Sequence, residues 1–351
     1  MKLSEYTINL LNDIENRISP DVEDDYIREW HNFWAGKCDE VIFAPNRRSK
    51  SPSSVALKDI NINDALSDYE LMLDMQLAGI TKALASGKGP LTMRANYGTG
   101  IMTSLFGAEI FVMPRSQNTL PTTRSFNNTD KIQSVIESGI PSLDTGFGKN
   151  VFEFGEMCLE IFEKYPKISK YVYMYHPDTQ GPLDITELLW GSEMFYSMYD
   201  EPEMVHELIQ LITDTYTRFL DKWFLLYPNK PDLNAHWGIL MKGNICLRND
   251  SAMNLSPDFY REFAFKYDKY LLDYYSGGIV HFCGRGDHYI DILSAAENLT
   301  GINLSQPHLN DMDKIYSSAF GKGKKILALR GDACDEYAAR PDAVKGMIYK
   351  A

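Results

Sequence analysis

The segment Gly277-Gly278-Ile279-Val280-His281-Phe282-Cys283-Gly284-Arg285-Gly286 places an imidazole and a thiol two residues apart, behind a short apolar run. On a strand, alternation aims Ile279, His281 and Cys283 to one side and Val280 and Phe282 to the other. His281 and Cys283 would then act together, and neutral imidazole with thiolate is a donor pair suited to zinc. A third ligand has two candidates. His308 follows the next apolar run in Gln306-Pro307-His308, and Cys334 follows the one after in Arg330-Gly331-Asp332-Ala333-Cys334. His308 is preferred on position, because Cys334 reads as the start of a helix. The plain alternative stays open: a buried cysteine filling a core layer beside a histidine bonded to its neighbour.

Other polar groups sit where apolar runs end. They are Asn96 with Tyr97, His176 with Asp178, His236, Arg248 with Asp250, and Gln306. Each alone suits ordinary loop capping. Their shared placement argues for one polar pocket that binds substrate. Asn96-Tyr97-Gly98-Thr99-Gly100 has a phosphate-loop look, yet lacks both the third glycine of a dinucleotide fingerprint and a Lys-Ser/Thr ending. Cys38, Cys158 and Cys246 have no partner at ligand spacing and read as inert.

The elements that must hold these groups alternate. Strands are expected at 41–45, 91–97, 170–176, 232–240, 278–282, 301–305, 325–329 and 346–349. Helices are expected at 64–85, after Asp200 with Pro202 in the first turn, after the Ser256-Pro257 cap, and at 287–298, 310–320 and 333–339. Such alternation predicts parallel pairing with right-handed crossovers. About eight strands suit a single α/β (β/α)8 TIM barrel, with a doubly wound open sheet as runner-up. Active sites of such barrels lie at the C-terminal mouth of the strands, where His281 and Cys283 would sit. Residues 1–89 read as a charged, helical N-terminal extension packed on a barrel spanning 90–351.

The whole chain has 351 residues, 44% hydrophobic and 24% charged, which excludes wholesale disorder. A net charge of −13 with no basic run makes nucleic acid and anionic membrane surfaces poor partners. Five cysteines are no disulfide framework, and no apolar stretch approaches membrane-spanning length, so a soluble cytoplasmic protein is expected.

Three pieces in this order carry a family resemblance: Gly181-Pro182-Leu183, Leu255-Ser256-Pro257-Asp258-Phe259-Tyr260 and His281-Phe282-Cys283-Gly284. Over roughly residues 90–351 the chain resembles the uroporphyrinogen decarboxylase superfamily, which also holds cobalamin-linked methyltransferases acting on coenzyme M and related thiols. The resemblance implies a barrel with its pocket at the C-terminal mouth, and often a homodimer. For the methyltransferase branch it implies zinc on His281, Cys283 and a distant cysteine, making a small-molecule thiol the acceptor of a methyl group from a corrinoid carried by a partner protein. Cys334 departs from that pattern, since it precedes the final strand expected at 346–349. For the decarboxylase branch the resemblance implies an arginine-rich first strand gripping porphyrinogen carboxylates. Arg47-Arg48 and Arg94 do not match that segment. A third expectation is a non-catalytic barrel that binds a corrinoid or a tetrapyrrole.

Overall fold

The computed structural model describes residues 2–351. It is an α/β fold built around a six-stranded parallel sheet. In chain order the strands are β1 (Ile42–Phe43), β2 (Thr92–Met93), β3 (Glu109–Phe111), β4 (Thr122–Arg124), β5 (Tyr173–Met174), β6 (Asn234–His236), β7 (Ile239–Met241), β8 (Ile245–Arg248), β9 (Gly278–Phe282), β10 (Leu299–Leu304), β11 (Lys325–Leu329) and β12 (Ile348–Lys350). The main sheet runs β1-β12-β11-β10-β9-β8. A parallel pair β2-β5 and two antiparallel hairpins, β3-β4 and β6-β7, stand apart from it.

Alternation along the strands sorts side chains into two cores. Leu247, Val280, Phe282, Ile302 and Ile326 join the large core beneath the surrounding helices. Cys246, Ile279, Leu327 and Tyr349 face the other way, into a second core with Tyr173 and Tyr175 of the β2-β5 side. Tyr26, Trp30 and Phe33 of the helix Pro20–Trp34 cover that second core. Their spacing of three and four residues puts them on one helical face, and Trp30 and Phe33 are wholly buried. Trp30 meets Phe43 of β1 edge-to-face at 5.2 Å and Tyr349 of β12 at 4.5 Å. The N-terminal ninety residues are therefore tied in twice, through this helix and through the pairing of β1 with β12.

Among the described residues, strand pairing forms no closed barrel. β6 spends its hydrogen bonds on its own return strand β7, through a two-residue turn at Trp237-Gly238. The expected single strand over 232–240 is thus a hairpin. Side chains span what the ladders leave open. Thr92 donates to the carbonyl of Trp237 at 2.9 Å, and Asn234 donates to Asn244 Oδ1 at 2.9 Å. The expected strand at 170–176 is also shortened, because Lys170 and Tyr171 end the helix Pro166–Tyr171. Asp200 closes one helix and does not cap the next. Ser256 does cap its helix, accepting from Phe259 N at 3.2 Å with Pro257 at the first position. No helix among the described residues is long and apolar enough to cross a membrane.

Candidate metal centre

Strand register puts three polar residues in one row: Arg248 of β8 pairs with His281 of β9, which pairs with Asn303 of β10. Asn303 uses its amide nitrogen to donate to the carbonyl of Leu327 on β11 at 2.6 Å. That bond turns the amide oxygen toward His281 Nδ1, 2.6 Å away. Nδ1 must then carry the proton, so Nε2 presents a lone pair.

Around that Nε2 gather a thiol and a carboxylate. Cys283 Sγ lies 3.4 Å away and Asp250 Oδ1 3.6 Å away. One donor atom from each of Asp250, His281 and Cys283 falls within 4.8 Å of the others. Asp250 is fixed from two sides. Its carboxylate accepts from Cys283 N at 2.7 Å, and its own N–H donates to Asp184 at 3.0 Å. Asp184, just inside the helix that opens at Gly181-Pro182, also accepts from Ser251 N at 2.8 Å. Complete burial, with repulsion from Asp250, pushes the Asp184 carboxyl up to about 8. Burial raises the Cys283 thiol, and burial lowers His281 against the opposing pull of Asp250 and Asn303. Thiol and imidazole are thus both favoured in their neutral forms.

The third donor differs from both sequence candidates. Cys334 is fully buried in the first turn of the helix Asp332–Ala338, with its thiol against the carbonyl of Leu329 at 3.3 Å. His308 is exposed in the turn Pro307–Leu309. Neither joins the cluster. Asp250 had a legible place at a strand end beside Arg248. Its role as a donor was missed because it lies in the loop just after β8, far ahead of the His-x-Cys pair in sequence.

His281, Asn303 and Ser305 form part of the wall of a cavity of about 990 Å³ at the C-terminal ends of β9 and β10. Trp237 and Ile239 of the hairpin form another part, and Tyr349 and Arg330 a third. Of the residues expected to share one pocket, only His281 lines this cavity.

Arg248, Asp178, His236 and His176 lie behind Trp237 as a buried network. Arg248 and Arg94 both pair with Asp178, and Arg248 reaches His236 Nε2 at 2.9 Å. The guanidinium of Arg248 sits 4.4 Å over the Trp237 ring. Burial works to raise Asp178, but the two guanidinium charges outweigh it and hold the carboxyl low. His176 accepts from Cys246 N at 3.0 Å and donates to the carbonyl of Pro177 at 2.9 Å. Burial pushes it down to about 4 and drives His236 well below its ordinary value, so both are neutral. Tyr97 belongs to the large core, wholly buried against Phe147, because its apolar ring outweighs its hydroxyl. Asn96 is half-buried away from the cavity, and Gln306 is spent on Gly284 N.

No family model matches the chain, and no curated protein matches it.

Proposed function

We propose that this protein is a zinc-dependent methyltransferase that moves a methyl group from a corrinoid, carried by a partner protein, to a small thiol. The observation that carries the reading is the convergence of Asp250, His281 and Cys283 beside a cavity. Tetrahedral bonds of roughly 2.0–2.3 Å need donors about 3.3–3.8 Å apart, and the imidazole–thiol and imidazole–carboxylate separations of 3.4 and 3.6 Å meet that. A nitrogen, a sulfur and an oxygen donor leave one position open, the pattern of a catalytic site. Zinc held there would favour the thiolate form of a bound substrate thiol.

The chain's own residues prepare that site. Asn303 holds His281 in the tautomer whose Nε2 is free. Asp184 and Cys283 N hold Asp250 in place, so its carboxylate need not search for its position. Transfer of a methyl group to a thiolate is a displacement, and it asks for alignment more than for an acid or a base. The second core and the helices outside the sheet favour a (β/α)8-like barrel whose ring is interrupted at the β6-β7 hairpin.

Porphyrinogen decarboxylation finds less support. Arg47 is buried and clamped by Glu23 at 2.6 Å, Arg48 pairs with Asp25 on the surface, and Arg94 is committed to Asp178. None is free to grip a carboxylate-rich substrate.

Metal analysis of purified protein is the test. One zinc per chain is expected, with Cys283→Ala and Asp250→Ala each losing it, together with methyl transfer from methylcobalamin to a thiol. Cobalt(II) substitution should give the sulfur-to-metal charge-transfer band, and Cys283→Ser should remove it. Full metal content and full transfer in Cys283→Ala would overturn the reading.

A further inference from the structure

Acidic side chains outnumber basic ones in this chain by 48 to 35, yet the cavity beside His281 is lined by Lys88, Arg330 and Lys350 and by no Asp or Glu side chain. Lys350 is answered by Asp335 at 3.3 Å. Lys88 and Arg330 are exposed, and neither has an ion-pair partner among the described residues. Ala351, the last residue, also lines the cavity; the lining side chains by themselves leave it a positive local field, from Lys88 and Arg330, that an anion would neutralise.

Two aromatic residues belong to the same lining. Trp237 and Tyr349 line the same space. Trp237 is fixed by three neighbours: Arg248 over its ring at 4.4 Å, His281 edge-on at 4.9 Å and 85°, and His236 at 4.9 Å. Tyr349 is held by its hydroxyl, which donates to the carbonyl of Gly238 at 3.0 Å. Trp237 also has φ +50°, a left-handed conformation that a hairpin turn usually gives to Gly or Asn. A bulky aromatic kept in that conformation carries strain, and strain of this kind collects at ligand sites. A guanidinium behind the ring draws electron density from it, which suits the ring to an electron-rich planar partner.

We infer that the cavity takes a planar aromatic acid, its ring laid against Trp237 and its anionic group held by Arg330 and Lys88. The inference rests on the methyl-transfer reading for what this ligand does, namely serve as the acceptor through a thiol that it would carry beside its ring and acid group. For what the ligand is, it rests on the cavity alone.

The test is calorimetric titration of chelator-treated, metal-free protein with 2-naphthoate, which has no thiol and asks nothing of a metal. One molecule per chain should bind. The neutral analogue 2-naphthamide and the aliphatic anion octanoate should each bind at least about tenfold more weakly, the scale of one lost charge-assisted contact or one lost stacking surface. Arg330→Met should weaken 2-naphthoate by about tenfold and leave 2-naphthamide unchanged, which separates charge from folding. Trp237→Leu should weaken both. Equal binding of 2-naphthoate and 2-naphthamide, equal binding of octanoate, or no binding of 2-naphthoate would each overturn the inference. Naphthoate binding in a protein that never takes up zinc would sink the methyltransferase reading and leave the ligand class standing. Zinc uptake without naphthoate binding would do the reverse.

Discussion

At the scale of single residues, Asn303 decides which nitrogen of His281 is available, although it touches no other donor of the cluster. Replacing it with Leu keeps the size but removes both hydrogen bonds, so the imidazole can turn and change tautomer. Zinc affinity is expected to fall about 10–100-fold, the usual cost of losing such an outer partner, while the folded structure persists. Competition against a chelator of known affinity would measure it; unchanged affinity would show that Asn303 orients nothing. His281 and Cys283 were legible in the sequence because alternation on one strand is a local rule. Asp250 was not legible as their companion, because it arrives from the neighbouring strand and only register brings it near. Tyr97 was misplaced for a different reason: a hydroxyl at a strand end looks polar in sequence, while its ring belongs to the core.

At the scale of elements, the site depends on where β8 begins. Gly243 opens the approach to β8 with φ +103°, and a Cβ there would stand 2.5 Å from the backbone of Gly277 and Gly278 at the start of β9. Both the conformation and the space demand glycine. Gly243→Ala is expected to cost roughly 2–4 kcal/mol, through strain and a forced separation of β8 from β9. Denaturant unfolding would show it, and a change below about 0.5 kcal/mol would mean that the two strands yield freely. Most helices and strands of the last quarter were read nearly in place, since each is short and bounded by glycine, proline or a capping residue, but the helix expected over 287–298 is only Ile290–Ser294. The hairpin at 234–241 was read as one strand, because His236-Trp237-Gly238 carries no turn signature stronger than a single glycine. Closure failed to follow from counting strands, because strand number does not say which edges pair.

For the molecule as a whole, buried ionisable groups set opposite limits on pH. His176 is pushed down to about 4 by burial. In the unfolded chain it takes a proton below about 6.5, so its neutral burial costs stability as pH falls from there toward 4. Asp268 is fully buried, bonded only to Asn249, and burial pushes it up to about 7. The unfolded carboxyl ionises near 3.9, so folding is favoured less and less as pH rises from about 4 to 7, and the loss is complete above that. Asp268→Asn should therefore leave stability unchanged near pH 4 and raise it by roughly 2–4 kcal/mol at pH 8. Unfolding midpoints across that range would reveal a widening gap; a constant gap would place the titration elsewhere.

The pairing of Ile42 with Ile348 carries a consequence in time. Some 306 residues separate the two partners, counted as 348 − 42 from that register. At typical synthesis rates of about 5–20 residues per second, β1 waits roughly 15–60 s for its partner strand to be made. Throughout that interval the helix bearing Trp30 and Phe33 has neither Tyr349 nor a finished second core to cover it. The newborn chain thus carries an unsheltered aromatic face through that interval, until β12, the strand that shelters it, has been made.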